Sequence, residues 1–197
     1  MCGAFLWEAR MKIIDIAPPE VEPLTLDYAK TFLRVDTDDD DVLITDLIRA
    51  ARVRVEAMIN GSLITRLRRL TTQRFSQSGV CIHHHPVLSV NAIRAADDVG
   101  VYVDVTPEEM TLNLRCQPPI ITLKDNKVWD SLLSGTAYID VDFTAGFGIA
   151  ADDIPMPLRQ AVMLLLAQSY EFRGDTDGPP TPMLVDALLM PYRVVRL

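Results

Sequence analysis

Three clusters in this sequence carry side chains that could do chemistry. His83-His84-His85 offers imidazoles to a metal ion. Consecutive side chains on a strand point to opposite faces, so at most two of the three could serve one ion. The chain holds three histidines in all, so no fourth imidazole completes a set. A polar strand end before Pro86 accounts for them more simply. The acidic run Asp36 to Asp41 could grip a divalent cation through carboxylate oxygens. It lacks the turn glycine and distal glutamate of an EF-hand loop, and it reads instead as a helix cap with a solvated acidic corner. Asp140 and Asp142 share one strand face and could form an acid–base pair. Lying opposite Ile139, Val141 and Phe143, they read as the wet side of a sheet.

The remaining motifs are poorer in chemistry. Gly146 and Gly148 in TAGFG lack the GxGxxG or GKS/T continuation of a phosphate cradle and suit a turn leaving a strand. No serine or cysteine sits in a nucleophile elbow. The expectation is therefore no catalytic residue, no resident metal and no cofactor. A metal-dependent hydrolase using Asp36 to Asp41 with the His83 cluster is the alternative from the enzyme class.

The elements that would position these residues begin with one long helix, Asp38 to Gly61. Leu43, Leu47, Ala51, Val55 and Met58 recur at helical spacing on one face, with Asp46, Arg49, Arg52 and Glu56 on the other. Asp38 to Asp41 stand at its positive end, and Asn60-Gly61 supplies a left-handed stop. Thr25 is a cap for a shorter helix burying Leu26, Ala29, Phe32 and Leu33. Another helix starts near Pro157 and carries Leu158, Ala161, Val162, Leu165 and Leu166 through to Phe172. After the break GDTDGPP, Thr181-Pro182 opens a last short helix with Leu184, Ala187 and Leu188, ended by Pro191.

Between the helices the period changes to two. Val101, Val103 and Val105 alternate with Tyr102 and Asp104, and Met110, Leu112 and Leu114 alternate with polar residues. Ile139, Val141 and Phe143 do the same, so all three runs predict half-buried strands. Weaker strand signals fall at 63–75, 79–82, 87–95 and 119–123. Residues 12–23 contain Pro18, Pro19 and Pro23 and read as an extended lead.

The bulk composition narrows the class further. With 197 residues, 49% hydrophobic and 23% charged, the chain has enough material for a real core. A net charge of −8 argues against a general nucleic-acid-binding surface but permits a pore through which DNA slides. Cys2, Cys81 and Cys116 form no CxxC pair, which points to reduced thiols and assembly in the cytoplasm. No apolar run nears the ~20 residues of a membrane span, so no membrane partner is expected. MCGAFLWEAR lacks a basic n-region and a long apolar core and is not read as a signal peptide.

Three stretches together carry a resemblance: LTLDYAKTFLRVDTDDDDVLITDLIRAARVRVEAMINGSLIT, VDFTAGFGIAADDIPMPLRQAVMLLLAQSYEFRG, and MLVDALLMPYR. Their order and spacing resemble the head–tail connector (adaptor, or head completion) proteins of long-tailed bacteriophages and phage-like gene transfer agents. The resemblance runs from Leu24 to Arg193. It implies a structural adaptor of the virion neck that forms a ring, typically dodecameric, under the portal protein. Such a ring extends the DNA channel and offers a surface to the tail or a stopper protein. It also implies that the C-terminal segment reaches the portal, which places portal binding on Leu188, Pro191, Tyr192, Arg193, Val194, Val195, Arg196 and Leu197. Another neck component, a stopper or tail-completion protein, is the nearer alternative.

The expected fold class is α+β, mainly an α-helical bundle of N- and C-terminal helices with a β-rich insert. The expected division is an extended lead at 1–23, a helical core at 24–61 and 151–190, the insert at 62–150 and a docking tail at 191–197.

Overall fold

The computed structural model describes residues 11–193 apart from 74, 77, 78, 117, 133 and 173–180. The N-terminal stretch 1–10, the whole GDTDGPP break and the tail residues Val194 to Leu197 lie outside the described residues. Two compact units emerge, and each is described by itself.

The first unit comprises 11–17, 67–83 and 87–144. Its main sheet runs β1 (Met11–Asp15), β2 (Arg66–Thr72), β8 (Tyr138–Ala145), β4 (Val87–Ala96), β5 (Tyr102–Val105). The alternation in β8 puts Ile139, Val141 and Phe143 on one face, and all three are fully buried. The opposite face is not wet. Asp140 and Asp142 are each only 8% exposed: Arg69 and Arg94 of neighbouring strands pair with Asp142, and Thr71 bonds to Asp140. A second sheet orders β3 (Gly79–Cys81), β7 (Ile120–Leu123) and β6 (Met110–Asn113), with Val80 paired to Ile121 and Ile121 to Leu112. The short helix α3 (Trp129–Leu132) brings in Trp129, buried, with Phe75 edge-on at 6.3 Å.

The second unit comprises 18–66, 84–86 and 145–193. It contains α1 (Leu26–Leu33), α2 (Asp41–Ile59), α4 (Met156–Phe172) and α5 (Met183–Leu189). Thr25 caps α1 by accepting from the Tyr28 amide at 3.3 Å. The core stripe of α2 is Ile44, Ile48, Ala51, Val55 and Ile59, one residue round from the expected face. Leu43, Leu47 and Met58 sit at its margins, half-buried. Leu158, Ala161, Val162, Leu165 and Leu166 of α4 complete the same apolar cluster. Asn60 takes the left-handed conformation that ends α2. Gly61 is needed for a different reason: a Cβ there would collide with the carbonyl oxygen of His85.

The expectation of a mainly helical bundle interrupted by a β insert is corrected. Eight strands among the described residues form two antiparallel sheets, and the chain is a β-rich fold with short helices. Strand β1 precedes every helix among the described residues, so the sheet is not an insert between helical ends. Its residues looked like an extended lead because Met11–Asp15 find their partners in β2, more than fifty residues along, as with Ile13 opposite Leu70. No helix among the described residues is long and apolar enough to cross a membrane.

Candidate functional site

The C-terminal segment is held by α5 and the turn after it. Val185 and Leu189 are fully buried, and Leu188 packs half-buried against the helical core. Thr181, ahead of the helix, accepts from the Arg54 guanidinium of α2. Pro191 lies in a 3-10 turn, Met190–Tyr192, where its missing N–H leaves no bond unmade. Tyr192 stands edge-on to Phe147 with ring centres 6.0 Å apart, and Phe147 is edge-on to His85 at 5.8 Å. Arg193 returns a guanidinium N–H to Asp186 at 2.6 Å. Of the expected portal-binding residues, Leu188, Pro191, Tyr192 and Arg193 are therefore brought together against the folded unit. Val194, Val195, Arg196 and Leu197 lie outside the described residues.

This arrangement exposes Met183 and Met190, which sequence reasoning passed over, and Leu184, which it counted among the apolar residues of the helix. Met183 is 89% exposed, Met190 70%, and Leu184 more than half. They make the outer surface of α5 and its turn apolar. The signal was present in MLVDALLMPYR, where six of the seven residues of α5 are apolar and cannot all face one core. Methionine is unbranched and polarisable, which suits a surface that must adapt to a partner.

Phe147 is positioned by irregular backbone in which 61–65, 84–86 and 145–148 interlock. Ser62 N–H donates to the His85 carbonyl at 3.0 Å, Phe147 N–H to Leu63 at 3.1 Å, Gly146 N–H to Pro86 at 3.0 Å and Thr65 N–H to Gly148 at 2.8 Å. Gly146 has φ +147°, and a Cβ there would strike the backbone of Ile64 and Thr65. The TAGFG glycines thus permit close chain packing, as a turn leaving a strand requires.

The other candidates are absorbed into structure. Lys30 of α1 pairs with Asp38 at 2.6 Å and Asp41 at 2.7 Å, and Tyr170 of α4 donates to Asp40 at 2.6 Å. The hydrogen bonds to Asp38 and Asp41 raise the Lys30 ammonium above its ordinary range, and the bond to Lys30 lowers Asp38. Asp40 occupies the cap position of α2 without a side-chain cap bond, so the acidic run ties helices together more than it caps one. His84 is buried with Nε2 2.8 Å from Ser62 Oγ, and burial lowers the pKa of His85. Among the described residues no group of three His, Cys, Asp or Glu side chains is placed to hold a metal ion.

Two charged networks were misplaced by the sequence reading. Glu56, expected on the open side of α2, is 7% exposed and accepts from Leu63 N–H, Arg66 and Arg52 at 2.8 to 2.9 Å. Arg52 also reaches Glu22 at 2.8 Å. In the sheet, Asp142 accepts two bonds from Arg69, at 2.6 and 2.8 Å, and one from Arg94 at 2.7 Å. The paired guanidinium of Arg69 holds the Asp142 carboxyl below the usual carboxylate range. Neither network leaves a carboxylate oriented for acid–base work.

Comparison with known proteins gives these features a context. Residues 23–100 match the family model of the phage gp6-like head-tail connector protein. Three solved chains from gene transfer agent (GTA) particles are similar over 94% of this chain. One, from the virion of the native particle, has a TM-score of 0.77 and 28% identity, with 96% of that chain covered. A second, from the neck of an empty particle computed with C6 symmetry, has a TM-score of 0.75 and 27% identity, with 97% covered. A third, from the neck of the native particle computed with C12 symmetry, has a TM-score of 0.72 and 28% identity, with 97% covered. No curated protein matches the chain by sequence. The chain is thus similar to the phage head-tail connector family across α1, α2 and the strands that follow, and to chains of gene transfer agent particles over nearly its whole length.

Proposed function

We propose that this chain is the structural adaptor of a phage-like neck, forming a ring of twelve copies beneath the portal protein. The observation that carries this reading is the end-to-end likeness to chains of gene transfer agent necks, one of them in a C12 assembly. A head-to-tail ring joins one face of each subunit to a different face of the next. The ring continues the DNA channel of the portal and offers its far side to the tail or a stopper protein. A chain of net charge −8 suits that conduit, since many lysine and arginine contacts to phosphates would retard the DNA. The particle is assembled in the bacterial cytoplasm, and catalysis has no part in this role.

The portal contact is the C-terminal segment: Leu188 and Pro191 to Arg193 form its base, and Val194, Val195, Arg196 and Leu197 extend it. Exposed Met183, Leu184 and Met190 flank that base with apolar surface. Tyrosine and arginine dominate many protein contacts, and the aliphatic tail residues supply area for grooves. Tyr192 already packs on Phe147, so the test is a truncation after Arg193 that spares this contact. The shortened protein is expected to melt as the full chain does, yet to fail to join DNA-filled heads and to leave them tailless. Heads that still acquire tails with the shortened protein would refute the docking assignment.

A further inference from the structure

The turn joining β4 to β5 stands beside a cleft of about 350 Å³, lined among others by Asp97, Asp98, Asp140, Tyr102 and Tyr138. Asp140 lies at 8% exposure, and Thr71 donates to its Oδ1 at 2.6 Å. No ion pair reaches this carboxylate among the described residues, and its Oδ2 has no hydrogen-bond partner among them. Asp142, on the same strand, is satisfied by Arg69 and Arg94. No described lysine or arginine lines the cleft. A carboxylate withdrawn from water without a counter-charge is costly, and it favours a cation supplied from outside.

The rim of the cleft is fixed and apolar. Asp97 Oδ1 accepts from the amides of Val99, Gly100 and Val101 at 3.0, 2.7 and 2.8 Å, and Asp97 N–H donates to the Val101 carbonyl at 3.1 Å. These bonds hold Val99, Val101 and Tyr102 out in solvent, Val99 at 84% exposure. Apolar side chains around a sunken charge resemble the centre of a protein contact, where one buried anchor carries much of the affinity. The charge decides the anchor. Carboxylates of Asp97, Asp98 and Asp140 repel phosphates, so nucleic acid does not fit. A metal ion fits poorly, because Asp97 Oδ1 is occupied by three amides and no described group of three ligating side chains is placed to hold one. A guanidinium fits: it bonds a carboxylate with its fork of donors while its plane stacks on a tyrosine ring. The chain itself is a poor source, having a net charge of −8. Its Arg49, Arg52, Arg66, Arg69, Arg94 and Arg159 already pair with its own carboxylates.

We propose that this cleft docks an arginine side chain of a separate, more basic protein, presented on a segment whose flanking residues are apolar. The guanidinium sits on Asp140 between Tyr102 and Tyr138, and the flanking residues cover Val99 and Val101. The test titrates the full chain, labelled with nitrogen-15, with a blocked peptide holding one arginine between two leucines. Saturable shifts are expected in the amides of Val99, Gly100 and Val101. The same peptide with citrulline, equal in shape but uncharged, is expected to bind about tenfold more weakly or worse, as loss of a charged hydrogen bond implies. Asp140→Asn, whose amide oxygen can still accept from Thr71, is expected to weaken the arginine peptide as much while leaving the melting temperature unchanged. Should that variant fail to fold, Tyr102→Leu on the exposed edge strand removes the stacking ring and is expected to weaken binding several-fold. The absence of saturable shifts overturns the proposal, as does equal binding of the citrulline peptide. Calcium that displaces the peptide at equal concentration would make the cleft a metal site and overturn it too. Self-association of the wild-type chain that Asp140→Asn abolishes would seat a second copy there and overturn the separate partner.

Discussion

Asp142 shows what a single charge does inside this sheet. Its side chain is 11% exposed and takes three hydrogen bonds from Arg69 and Arg94. Its folded pKa lies below the ordinary value, so the unfolded chain takes up the proton first as pH falls. The stabilisation is present in full above about pH 5 and is lost as pH drops through the folded pKa. Asp142→Asn is expected to cost about 1–3 kcal/mol at neutral pH, with the difference from the wild type shrinking in acid. Chemical denaturation at pH 7 and at pH 3 checks both halves of that statement. Glu56 carries a heavier load, because both oxygens serve two arginines and a backbone amide away from water. Glu56→Gln leaves guanidinium charge buried without its counter-ion and is expected to cost about 3–5 kcal/mol. A denaturation midpoint close to that of the wild type would contradict it.

At the scale of elements, α2 is the member whose packing is most exactingly set. Ile48 and Leu165 lie in one apolar cluster, Ile48 2% exposed and Leu165 fully buried. Ile48→Ala is expected to cost about 2–5 kcal/mol through lost transfer energy and a residual cavity. Leu47→Ala, on the half-buried margin, should cost clearly less. Equal thermal shifts for the two variants would mean that the stripe is drawn on the wrong side. The turn after β8 makes a second element-level case. Gly146→Ala sets a methyl group against Ile64 and Thr65 backbone in a conformation that favours glycine. It should lower the melting temperature more than an exposed Gly100→Ala, where open space surrounds the new methyl.

For the whole molecule, the question is what holds copies together. Most apolar residues of α2 and α4 are consumed by the unit's own core, while α5 and its turn keep Met183, Leu184 and Met190 exposed. Edge strands of four and five residues offer few main-chain bonds for a contact between copies. Stable interfaces commonly bury about 1,200–2,000 Å². The isolated protein is therefore expected to be a monomer or a mixture, closing into a ring only on a portal template. Light scattering that found a stable large ring without the portal would contradict this.

What was legible in the sequence follows from how local each signal is. The Thr25 cap, the Asn60 stop, the Pro157 start and the period-two runs at 101–105, 110–114 and 139–143 each depend on a few neighbouring residues, and each lies where the pattern predicted. Order and spacing of whole stretches were equally readable, and they carried the likeness to head–tail connectors. The exact face of α2 was not, because charged Arg52 and Glu56 turn inward once Glu22 and Arg66 meet them across long separations. Nor was the wet side of β8, since Asp140 and Asp142 are covered by residues of β2 and β4 that no local pattern connects to them. Strand β1 was hidden for the same reason: a short edge strand is defined by its partner, and its partner lies beyond both N-terminal helices. Local backbone preference and periodicity are properties of the chain, whereas which charge meets which and which strand finds which edge are decided only when distant segments fold together.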